Sequence, residues 1–101
     1  MSKHTHTPGP WSLSGPYHPH GSAFPVLYVD GTIHGAVASV HMHHEWGEAN
    51  ARLISAAPDL LAALEMVRDA DDDNKLDGNE GIPGIARAKI NAAISKAKGE
   101  A

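Results

Sequence analysis

Eight histidines stand out among the residues that could carry chemistry. His4 with His6, His18 with His20, and His41, His43 and His44 form three groups along the chain. Imidazole can ligate a metal, move a proton or act as a pH-dependent charge. On a strand, residues two apart share a face, so His41 and His43 are candidate ligands to one metal, with Glu45 close by. No cysteine is present and no second carboxylate completes the set. Polar histidines without a metal are therefore the favoured reading, and His41 and His43 the weak metal candidates.

Four side chains suit recognition. The Trp11 indole can stack on a base or anchor a partner, although filling a small core is its commoner use. Arg52 can clamp a phosphate or carboxylate bidentately, or pair with Glu48 one helical turn earlier. Asn50 can hydrogen-bond a ligand or cap locally. His43 is the fourth candidate contact.

The acidic run Asp69-Ala-Asp-Asp-Asp-Asn-Lys-Leu-Asp-Gly78 invites a calcium reading, and the reading fails. With Gly78 at the sixth position of a calcium loop, Lys75 occupies a ligand position and Gly84 stands where the bidentate glutamate belongs. A solvated connector is expected instead. There is no Gly-x-Ser-x-Gly elbow, phosphate loop or dinucleotide fingerprint. The expectation is a non-enzyme without a cofactor.

The elements that position these residues follow from composition and pattern. A chain of 101 residues fits a single domain, residues 1–101. Alanine supplies much of the apolar fraction and there is one Phe, so the core should be thin and a homo-oligomer, most simply a dimer, is expected. A net charge of −4 argues against a surface that neutralises phosphates, hence against direct nucleic-acid binding. No run approaches the roughly 20 apolar residues of a membrane span, and no apolar leader opens the chain. The cytoplasm in which the chain is made is the expected compartment.

Residues 1–10 read as a tail ending in the breaker Pro8-Gly9-Pro10. Trp11-Ser-Leu13 begins a strand, and Ser14 to Ser22 reads as a loop. Val26-Leu-Tyr-Val29, Asp30-Gly31 and Thr32-Ile33 predict a tight hairpin, with the return strand reaching His41. The β region thus spans 11–41. Ala49, Leu53, Ala56, Leu60, Leu64 and Val67 recur at helical spacing, predicting a buried stripe over 45–67. Trp46 is expected to staple the start of that helix. Pro58 forces an elbow near Ala57. Residues 69–83 read as an acidic loop. A last helix spans 84–98, with Ala86, Ile90, Ala93 and Ala97 buried. The fold class is α+β: a small antiparallel sheet in the N-terminal half packed against two or three C-terminal helices.

Two segments resemble a group of short bacteriophage and prophage proteins. Thr7-Pro8-Gly9-Pro10-Trp11 is similar to the opening common in that group. Glu48-Ala-Asn-Ala-Arg-Leu-Ile-Ser-Ala-Ala-Pro-Asp-Leu-Leu-Ala-Ala-Leu64 resembles its characteristic helical segment, with Ser55 where the group usually has alanine. The resemblance implies phage origin and a β-then-α layout, and no particular chemistry. Three functions then stand in order. The first is an accessory protein that inhibits a bacterial defence or regulatory complex by protein–protein binding. The second is a binder that sequesters a nucleotide immune signal, using Trp11, Asn50 and Arg52. The third is a metal-binding protein built on His41 and His43.

Overall fold

The computed structural model describes residues 6–33 and 35–100. His4 of the first histidine group lies outside them. Along the described chain run β1 (Ser12–Tyr17), β2 (Val26–Asp30), β3 (Ala36–His41), α1 (Gly47–Ser55), α2 (Ala57–Leu76) and α3 (Gly84–Lys98). The fold is α+β, with an antiparallel sheet of order β1-β2-β3 followed by helices. Residues 1–59 and 60–101 form two compact units. No helix among the described residues is long and apolar enough to cross a membrane.

The first unit is built on the alternation of β2. Directly opposed residues of antiparallel strands share a face. Leu13, Val29 and Ala38 form one row, with Leu27 and Val40 beside it. Val29 is fully buried and Leu27 nearly so. The opposite face carries Ser14, Tyr28 and Ser39, then Tyr17, Val26 and His41. The helix α1 packs across all three strands. It approaches through its smallest residues: Gly47 and Ala51 are buried, Ala51 completely. A Cβ on Gly47 would sit 3.1 Å from the His41 carbonyl oxygen, so the helix start lies directly on the end of β3.

This close approach corrects the predicted stripe. Ala49 and Leu53 point outward, and Leu60 and Val67 are also exposed. Periodicity identifies a helix but not which of its faces turns inward. Gly47 and Ala51 win that position because only small side chains allow the backbone so near the sheet. Trp46, expected as a staple, is exposed instead.

The β2–β3 connection also departs from expectation. A type I′ turn at Asp30-Gly31 needs positive φ at both residues. Here Gly35, at φ 76°, takes the left-handed conformation, and Gly31 does not. The loop is five residues, 31–35, closed by the Gly31 N–H donating to the Gly35 carbonyl at 2.8 Å. Asp30 then opposes Ala36, Val29 opposes Ala38, and Val37 is the bulged residue between. Thr32 and Ile33 therefore leave the sheet. A contact from elsewhere fixes Gly31: a Cβ there would lie 2.8 Å from the Thr7 methyl. In β1, pairing continues past Ser14 to Tyr17, where a loop was predicted. Gly15, at φ 107°, and Pro16, which has no N–H, make a bulge that the strand passes over.

The break between α1 and α2 falls at Ala56, whose N–H reaches the Arg52 and Leu53 carbonyls. Pro58 stands in the first turn of α2, where its missing N–H removes no helical bond. The acidic run does not form the expected loop, because α2 continues through it to Leu76.

Its continuation is explained by Asp71, which anchors the second unit. The Asp71 side chain is fully buried and accepts the Ile82 N–H at 2.7 Å, the Arg87 guanidinium, and Lys75 Nζ at 3.2 Å. Arg87 also meets Asp72 at 2.8 Å and donates to Asn91 at 3.0 Å. Farther along, Lys98 meets Glu65 at 2.8 Å, so α2 and α3 run antiparallel. Charge repulsion along 69–73 is thereby offset by Arg87 of the next helix and by Lys75 of α2 itself. Gly81 completes the turn, since a Cβ there would collide with the Asp71 carboxylate. In α3, Ile94 is buried, whereas Ala93 and Ala97 of the predicted stripe are exposed.

Candidate functional site

Close packing through Gly47 and Ala51 turns the larger residues of α1 outward. Trp46 caps the helix and Leu53 lies two turns on, and each is 64% exposed. Ala49 and Asn50 lie between them and are exposed. Large side chains this exposed in a small unit form a surface patch rather than a core. On the same helix Glu48 and Arg52 pair at 2.8 Å across one turn. The Arg52 guanidinium is thus held by its own helix, and among the described residues no hydrogen bond engages the exposed Asn50 side-chain amide.

A second feature adjoins the start of α1 in sequence. The His43 ring stacks on Phe24 with centroids 4.3 Å apart and planes at 24°. His41 meets His43 edge-on at 5.5 Å. His44 lies 5.8 Å from Trp46. Phe24, His41, His43 and His44 are all exposed. The segment that ends β3 and enters α1 therefore presents aromatic faces to solvent. The proposed ligand pair His41 and His43 are neighbours, but among the described residues no group of three His, Asp or Glu is placed to hold a metal ion.

Trp11 is used locally. Its indole N–H donates to the Thr7 carbonyl at 3.0 Å, and His6 contacts its ring edge-on. A Cβ on Gly9 would lie 3.1 Å from Pro58 Cβ. The two segments that carry the phage resemblance therefore touch, Thr7–Trp11 wrapping onto Pro58 and, through the Thr7 methyl, onto Gly31. Among the described residues, no hydrogen bond or ring contact joins Trp11 to Asn50 or Arg52.

Sequence reasoning missed Trp46 and Leu53 as surface residues and Asp71 and Arg87 as an anchor. The i, i+7 spacing of Trp46 and Leu53 was visible, but it reads equally as core. The buried carboxylate left little local signal: Lys75 stands one helical turn away, but the Ile82 N–H and Arg87 lie 11 and 16 residues off. In the second unit, the Asp71 carboxyl is held at about 2 against an ordinary 3.8. The Ile82 N–H is the main cause; burial opposes it, and Arg87 and Lys75 add to it. Arg87 is raised in turn by Asp72 and Asp71.

The whole chain, residues 1–101, matches the family model described as Salmonella phage P22 protein Y8K6. Comparisons with curated proteins and with solved structures returned no match.

Proposed function

The chain belongs to the Salmonella phage P22 protein Y8K6 family, and from that premise we propose that it is an accessory protein that acts by binding a protein of the host. The observation that carries this reading is the outward face of α1, where Trp46 and Leu53 stand exposed together. Tryptophan dominates binding hot spots because its large ring is desolvated at little conformational cost. The Glu48–Arg52 pair supplies a polar rim, and the Phe24–His43 stack extends the aromatic surface. The complementary partner has an apolar cleft deep enough for an indole, bordered by groups that pair with Glu48 and Arg52. A host defence or regulatory complex is the proposed target, and occupation of its cleft the means of inhibition.

Affinity capture from host lysate, with wild-type protein beside the Trp46→Ala, Leu53→Asp double variant, tests this. Recovery of a defence or regulatory component by the wild type alone is the expected result. Recovery of no such component, or equal recovery by both proteins, would sink the proposal. A protein that sequesters a nucleotide signal would instead melt higher with cyclic nucleotides, by an amount set by mass action.

A further inference from the structure

Within residues 1–59 the sheet has a single helix, α1, which packs through Gly47 and Ala51 over the Leu27 and Val29 side. The other face is built in rows across the strands. Ser12, Asp30 and Ala36 form one row, Ser14, Tyr28 and Ser39 the next, and Tyr17, Val26 and His41 the last. Val26 is 3% exposed, whereas its cross-strand neighbour Tyr17 is 53% exposed and His41 also lies open. The rings therefore lie over Val26 and turn their outer faces to solvent. Tyr17 meets Tyr28 with centroids 5.9 Å apart and planes at 41°. On the other flank His41 meets His43, which stacks on Phe24. The result is an aromatic platform two strand spacings wide, about 10 Å.

Hydroxyls stand among the rings. Ser and Tyr hydroxyls can each donate and accept. Among the described residues, no hydrogen bond engages the side chains of Ser14, Ser39, Tyr17, Tyr28 or His41. The three strands hold no Lys or Arg, and Asp30 is their one carboxylate. A phosphate chain would find no cation there and would be repelled by Asp30. An aliphatic protein surface would leave the hydroxyls without partners. A pyranose suits both features. The C–H groups on its ring face pack on aromatic faces, and its edge hydroxyls donate and accept in turn. We propose that this face binds a neutral oligosaccharide. Tyr17 and Tyr28 lie under sugar rings, Ser14, Ser39 and His41 bond their hydroxyls, and Asp30 accepts from a hydroxyl at the far end. The face lies across the sheet from α1, so it stands or falls apart from the α1 reading.

The test is a titration of the full chain with maltose, cellobiose, lactose and chitobiose, followed through the ring resonances of Tyr17 and Tyr28. At least one disaccharide is expected to shift both rings saturably, with a dissociation constant of about 1 mM or tighter. Tyr17→Ala, with an unchanged melting curve, should weaken that binding about fivefold or more, and Tyr17→Phe, which keeps the ring, should weaken it less. Ser39→Ala, which trims one exposed hydroxyl, should weaken it about twofold or more. Ile85→Glu, at an 80% exposed position of α3, should leave it unchanged. Three results would each overturn the proposal: no saturable shift with any of these sugars; equal binding by wild type, Tyr17→Ala and Ser39→Ala; or ring shifts produced by an oligothymidylate in place of a sugar.

Discussion

Residues 1–59 close around Val26, Leu27, Val29 and Ala51, apolar side chains brought together by strand alternation and a close-packed helix. Residues 60–101 close around the Asp71 carboxylate, with Arg87, Lys75 and the Ile82 N–H gathered on it. The first arrangement gains from area removed from water, is not directional, and tolerates the bulges in β1 and β3. The second is directional and fully satisfied: among the described residues no buried side-chain polar atom lacks a partner. Losing one partner there leaves a buried charge, whereas trimming the first core loses surface only. The apolar unit can therefore spare Trp46 and Leu53 for its exterior, and the polar unit places charge on its outward faces.

The sharpest way to break this contrast is Asp71→Ala. It leaves Arg87 with Asp72 and Asn91 only and takes the acceptor from the Ile82 N–H, so residues 60–98 should lose most of their helical signal in circular dichroism while the sheet amides stay protected. If both units melt together, the contrast between them is wrong. Next in size is Val29→Ala, which should destabilise the first unit by roughly 2 to 3 kcal/mol in denaturant titration. Ala51→Phe should cost about 1 to 3 kcal/mol, because the helix would have to rise off the sheet.

Acid separates the units as well. The Asp71 carboxyl ionises at about 2 in the fold and at 3.8 ordinarily, so its folded value is depressed. Its stabilisation is complete above about pH 4 and is lost as the pH falls toward 2. Hydrogen exchange, corrected for intrinsic rates, should show protection falling over that window at Leu64 and Ile94 in wild-type protein, with no comparable step in Asp71→Asn. The smallest effect belongs to the exposed Glu48–Arg52 pair. Arg52→Ala should change stability by less than about 0.5 kcal/mol, which makes it a clean probe of the patch rim.

Much of the architecture was legible because it is written locally. The β-branched and aromatic run at Val26 and the three-and-four spacing after Glu45 establish an α+β chain without tertiary knowledge. What stayed hidden was set by contacts across the chain. The positive φ sits at Gly35, while Gly31 is pressed against Thr7. The face of α1 turned inward is decided by how near the helix comes to β3, and spacing alone cannot register that. The acidic run reads as a loop until Arg87, 16 residues past Asp71, neutralises it. The candidate surface was half visible. Asn50 and Arg52 lie on the same helix, but Trp46 and Leu53, which carry the patch, have the pattern of core residues. Trp11 appeared free to recognise a ligand, and its N–H is bound to the Thr7 carbonyl.

The most direct test compares three proteins in one capture experiment from host lysate: wild type, the Trp46→Ala, Leu53→Asp variant, and Ile85→Glu. The account predicts that wild type and Ile85→Glu recover the same defence or regulatory component and that the α1 variant, with an unchanged melting curve, recovers none of it. Retention by the folded α1 variant, or loss with Ile85→Glu alone, would contradict the assignment of partner binding to α1.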